Sequence, residues 1–118
     1  MELAGQRVVV VGLARSGIAA TRFLARRGAR VVATDSKRAS ELTEEALSLE
    51  SDAVRLVLGG HDPAAIGDAD LVVASPGVAW DAPLLEAARA KGTPVIAEIE
   101  LGFRHIEGEV VALSLIHI

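Results

Sequence analysis

The chain of 118 residues contains no cysteine, which excludes a disulfide framework and any thiolate metal site. Aromatic residues make up only 3% of it. A core must therefore be filled by Val, Leu, Ile and Ala, the mix that suits a parallel sheet covered on both faces. No apolar run reaches the roughly 20 residues that span a bilayer. The N-terminus lacks a basic stretch leading into a long apolar segment, so a cytoplasmic location with no membrane partner is expected. His61, His105 and His117 are scattered, with no partner at metal-ligand or triad spacing. Glu98 and Glu100 lie two apart and on a helix point in different directions. The pattern G-x-x-x-x-G-K-[ST] is missing, and with it a loop for ATP phosphates. Neither a catalytic residue nor a metal site is assigned.

What is present is apolar and unevenly charged. Hydrophobic residues account for 51%, ample for one buried sheet in a single domain. The net charge of −4 argues against nucleic acid as a partner. Residues 1–40 carry eight Lys and Arg against two acids, a net of +6, whereas residues 41–118 carry four against fourteen, a net of −10. The basic excess falls on the segment that holds the chain's main motif, as an anionic ligand would favour. Arg22, Arg26, Arg27 and Arg30 equally suit a solvated helix face, whereas Arg15 sits inside the motif itself.

That motif is a strand, Arg7–Val11, running into Gly12-Leu13-Ala14-Arg15-Ser16-Gly17 and then a helix over Gly17–Arg27. A glycine turn that opens a helix presents free backbone N–H groups, the usual seat of a phosphate. Ser16 is placed as the helix N-cap and Gly28 as its stop. Further strands are expected at Arg30–Thr34, Val54–Leu58, Leu71–Ala74, Pro94–Ala97 and Val110–Ala112. Further helices are expected at Glu41–Leu49, Pro83–Lys91 and Glu98–His105, and His61–Ala69 reads as a polar connection. Strands spaced by helices of about ten residues imply βαβ crossovers and an α/β, doubly wound, mostly parallel sheet with helices on both faces. Ligands of such sheets bind outside the carboxyl ends of the strands.

Three loops with unusual residues fall at that rim: Gly12–Gly17, Asp35–Lys37 and Ser75-Pro76-Gly77. The first has the spacing of a dinucleotide fingerprint, but Ala14 replaces its middle glycine, and a β-carbon there limits the approach of a pyrophosphate. Ser16 can donate to a phosphate, cap its helix, or do both. Asp35 follows Gly12 by twenty-three positions, where an acid can accept from a ribose, from a base N–H, or from its own turn. Pro76 and Gly77 give their loop a fixed and a permissive dihedral that can expose N–H groups, or simply turn the chain. A module binding NAD(P) in an oxidoreductase is the alternative to the reading that follows.

The segments Val9–Gly17, Thr34-Asp35, Leu71–Val78 and Pro94–Leu101, in this order and spacing, resemble the N-terminal domain of the Mur ligases, most closely the members that add D-glutamate in peptidoglycan synthesis. The resemblance covers roughly residues 3 to 112. It implies a Rossmann-like domain that holds the UDP part of UDP-N-acetylmuramoyl-L-alanine. On that basis Arg15, Ser16 and Gly17 face the diphosphate, Asp35, Ser36 and Lys37 flank the uracil, and Gly77 completes the pocket. Gly12, Ala14, Ser75 and Pro76 support the turns. In the complete enzymes of the family, ATP and magnesium activate the substrate carboxylate in a central domain, and a C-terminal domain binds the amino acid. Neither cofactor is expected within these residues, and the stretch alone is expected to be inactive as a ligase.

Past Val110-Val111-Ala112 the family continues into a threonine–glycine loop ending in Gly-Lys, whereas this chain reads Leu113-Ser114-Leu115-Ile116-His117-Ile118. That hexapeptide equals one translation frame of a transposase adapter used in sequencing libraries. The expected organisation is therefore a UDP-substrate domain over 1–109, the start of a missing central ATPase domain at 110–112, and a non-native tail over 113–118.

Overall fold

The computed structural model describes residues 3–60, 66–75 and 82–97. Strands β1 (Arg7–Val11), β2 (Arg30–Asp35), β3 (Val54–Leu58), β4 (Leu71–Ala74) and β5 (Val95–Ala97) form one sheet in the order β3-β2-β1-β4-β5. Every neighbouring pair is parallel, with Val8 opposite Val31 and Leu71, and Val11 opposite Thr34 and Ala74. The chain starts in the middle of the sheet, builds outward to β3, returns to β4 and builds the other way. The order thus reverses beside β1, the place where a doubly wound sheet opens its crevice.

The strand period of two sorts the apolar residues onto two faces. Val8, Val10, Leu71 and Val73 pack with Ile18, Ala20 and Leu24 of α1 (Arg15–Arg26) and with Ala46 of α2 (Glu44–Leu47). Val9, Val11, Val72 and Ala74 pack with Leu84, Leu85 and Ala88 of α3 (Pro83–Ala90) and with Ile66. Val8 to Val11 are all buried, as the central strand of a two-sided sheet must be. Thr21 is also buried on α1, and its hydroxyl is satisfied by donating to the Gly17 carbonyl at 2.8 Å. Pro83 opens α3, where its missing N–H costs nothing. Gly28, at φ 86°, closes α1 one residue past its C-cap, Arg27.

Three elements differ from the sequence reading. The helix expected over Glu41–Leu49 is a 3-10 turn at Ala39–Glu41 followed by the four-residue α2. Side chains compete with a continuous helix here. The Arg38 amide donates to the Glu41 carboxylate at 3.1 Å, and Thr43, itself extended at ψ 158°, accepts from the Ala46 amide at 3.1 Å as N-cap of α2. Ser16 is not an N-cap. Ala14 takes that position with no side-chain bond, and α1 begins at Arg15 rather than Gly17, so Ser16 already has helical backbone and its hydroxyl lies beside the free amides instead of ahead of them. Strand β2 runs one residue further, to Asp35. Smaller shifts end α1 at Arg26 and α3 at Ala90 and start β5 at Val95. The helix Glu98–His105 and the strand Val110–Ala112 lie outside the described residues, as do 61–65 of the polar connection, of which Ile66–Asp68 is a turn.

Candidate functional site

Main-chain hydrogen bonds stitch together the strand ends at the carboxyl rim. The Gly12 amide donates to the Thr34 carbonyl at 2.8 Å and joins the end of β1 to β2. The Ser75 amide donates to the Val11 carbonyl at 3.0 Å and joins β4 to β1. The Gly59 amide donates to the Lys37 carbonyl at 2.8 Å and joins β3 to β2. Gly12 sits at φ 102°, a conformation that side chains rarely adopt, and this turns the chain from β1 into α1. Gly12, Ala14–Gly17, Asp35–Lys37 and Ser75 thus share one edge. Pro76 and Gly77 lie outside the described residues.

The N-terminus of α1 is electrostatically unfinished. The first intrahelical bond is from the Ile18 amide to the Ala14 carbonyl at 3.0 Å. The amides of Arg15, Ser16 and Gly17 have no hydrogen-bond partner among the described residues. No acidic residue stands in the first turn, and no side chain caps it. Arg15 is exposed there, a cation at the positive end of the helix, where it is unfavourable by about 0.3–1 kcal/mol. The Ser16 hydroxyl is exposed and unpaired among the described residues. Free donors, a hydroxyl and a misplaced cation together form the complement of an anion.

The second loop is built around the half-buried Asp35. Its Oδ2 accepts from the Leu13 amide at 2.7 Å, and its Oδ1 accepts from the Lys37 amide at 2.9 Å. Ser36 and Lys37 are exposed beside it. The bond to Leu13 spans twenty-two positions and was not legible in the sequence, where only the acid's place at a strand end carried a signal. Thr34, also missed, is fully buried, and its Oγ1 has no hydrogen-bond partner among the described residues. Gly59, at φ 85°, adds a third turn to the rim, foreshadowed by the pair Gly59-Gly60.

The opposite end of the sheet is different. Arg7 and Arg30, register partners on adjacent strands, stand at the amino end, so part of the basic excess of residues 1–40 lies away from the rim. Arg22 pairs with Glu45 at 3.7 Å, and Arg27 lies over the Phe23 ring at 4.9 Å. Of the early basic residues, Arg15, Lys37 and Arg38 remain near the rim. A cavity of about 920 Å3 is lined by Arg7, Arg30, Arg55 and Asp68 and contains none of the rim residues. It is a surface groove in which Arg7 pairs with Asp68 while Arg30 and Arg55 form no ion pair among the described residues; the rim, where main-chain donors left unpaired among those residues gather at a helix N-terminus, is the better candidate. Among the described residues no group of His, Asp and Glu is arranged to hold a metal ion, and no helix is long and apolar enough to cross a membrane.

A parallel sheet in this order, with an open helix N-terminus and a strand-end acid at one edge, defines a Rossmann-like α/β domain. Residues 6–97 match the family described as Mur ligase MurD-like, N-terminal domain, and the chain belongs to that family. It is 48% identical over 114 residues to a UDP-N-acetylmuramoylalanine--D-glutamate ligase of Geobacter metallireducens, a match that covers 97% of this chain and 25% of that protein. The chain therefore spans about a quarter of the length of the curated relatives it matches. Among solved structures, the UDP-N-acetylmuramate-alanine ligase of Thermotoga maritima superposes with a TM-score of 0.67 at 23% identity, over 81% of this chain and 21% of that one. The D-lactate dehydrogenase of Escherichia coli superposes with a TM-score of 0.58 at 23% identity, over 82% and 29% respectively. Ligases and dehydrogenases share this fold, so the fold alone does not separate them.

Proposed function

We propose that this domain binds UDP-N-acetylmuramoyl-L-alanine through its UDP moiety, as the substrate-binding part of a D-glutamate-adding ligase. The observation that carries the reading is the N-terminus of α1, with three amides and a Ser16 hydroxyl that have no partner among the described residues and Arg15 in place of an acid. That cluster suits the diphosphate. Asp35, Ser36 and Lys37, one hydrogen bond away, suit the uracil, and Gly77 is assigned to the same pocket. Each Asp35 oxygen accepts one main-chain amide and keeps a further lone pair for a uracil N–H. Ala14, at the middle position where a dinucleotide fingerprint has glycine, favours this ligand over NAD(P). On this reading the domain binds and does not catalyse. ATP, magnesium and D-glutamate belong to the full-length ligase, a cytoplasmic enzyme of cell-wall synthesis.

Calorimetry on the 118-residue chain tests the proposal. UDP-N-acetylmuramoyl-L-alanine and UDP should both bind, with NADH no better than background. Fluorescence of the single tryptophan, Trp80, three residues past Gly77, gives a second readout. Tight NADH binding with no response to UDP overturns the reading in favour of an NAD(P) module.

A further inference from the structure

We infer that Asp35 is a positioning residue that couples the two halves of the nucleotide site, an inference that rests on the UDP reading above. Among the described residues, its carboxylate is the one side chain at the rim bonded to both loops. Oδ2 holds the Leu13 amide at 2.7 Å and Oδ1 holds the Lys37 amide at 2.9 Å. Leu13 lies between Gly12, the residue with φ 102°, and Ala14, the N-cap of α1. Its side chain is 3% exposed and anchored in the α1-side core. Its amide needs a partner, because a buried N–H left unpaired is costly. The two successive amides of the turn are therefore both held from the end of β2, Gly12 by the Thr34 carbonyl and Leu13 by Asp35.

A carboxylate acceptor makes the stronger kind of hydrogen bond. It fixes the turn that leads into the amides of Arg15, Ser16 and Gly17, which have no partner among the described residues. The other oxygen closes the turn that carries Ser36 and Lys37. A ligand group that orders either loop relieves the other of part of its ordering cost, so the base and the diphosphate bind cooperatively through one side chain.

A residue that only touched the base would leave a ligand without a base unaffected. The deciding measurement is the affinity of inorganic pyrophosphate and of UDP for the wild-type chain, D35N, D35A and S36A, together with amide hydrogen exchange of Leu13. D35A should bind both ligands about tenfold more weakly, the scale of one lost charge-assisted bond. Its Leu13 amide should lose protection at least tenfold while Val9 and Val10 keep theirs. D35N has a single side-chain acceptor for two amides, preserves the shape of the site, and should fall between. S36A should weaken UDP and spare pyrophosphate. Wild-type pyrophosphate affinity in D35A or D35N, or an unchanged Leu13 amide, overturns the coupling while the UDP reading stands. A wild-type chain that binds neither ligand overturns the UDP reading and the coupling with it.

Discussion

The two ends of the same five strands are chemically unlike. At the carboxyl rim, glycine turns and main-chain bonds consume the strand ends, and what remains among the described residues is a set of unpaired donors at α1, an unpaired hydroxyl and an exposed cation. At the amino end carboxylates hold Arg7: its guanidinium meets Asp68 at 3.1 Å and its amide donates to Asp70 at 2.9 Å, while Arg30 beside it forms no ion pair among the described residues. A parallel sheet produces this asymmetry, because every crossover helix starts near the carboxyl rim and points its positive end there. The lesson is that a candidate site is recognised by what is left unsatisfied, and that the cavity at the other end is a weaker guide.

The comparison breaks most severely at Gly12. A valine at φ 102° is expected to cost about 1–3 kcal/mol and to displace the α1 N-terminus, with a lower melting temperature and loss of UDP binding by calorimetry. Next, Arg15→Glu should separate stability from function. An acid in the first turn gains about 0.3–1 kcal/mol from the helix dipole while UDP affinity falls tenfold or more, so urea midpoint and affinity move in opposite directions. Thr34→Val probes the floor of the rim. Removing a buried hydroxyl that has no partner among the described residues, with nearly the same shape kept, should raise stability by up to about 1 kcal/mol. Because the Thr34 carbonyl still accepts from Gly12, UDP affinity should hold. The smallest effect belongs to the amino end. Asp68→Ala breaks an ion pair with exposed partners and should cost about 0–1 kcal/mol, less at high salt, with UDP affinity unchanged.

Much of the fold was legible residue by residue. The run Val8 to Val11 announced a central strand, since only a strand buried on both faces has no polar side. Gly28 announced the end of α1, because the chain there needs a left-handed residue. The segment Glu41–Leu49 misled because its acids and apolar spacing favour a helix, while the Thr43 hydroxyl and the Glu41 carboxylate bond the backbone locally and divide it. Ser16 misled in a similar way. Its residue type fits an N-cap, but Ala14 at ψ −175° already ends the extended chain two positions earlier.

The order of residue types along the chain was enough to determine the strand and helix periods, the two-faced apolar pattern and the glycine turn. These depend on local sterics and on burial that repeats every two or 3.6 residues. Only the tertiary structure decided that Asp35 would reach back to the Leu13 amide, that part of the early basic charge would lie at the far end of the sheet, and that the Thr34 hydroxyl would be buried with no partner among the described residues. Those outcomes depend on which groups are brought together once distant segments close on one another, and no local period encodes that.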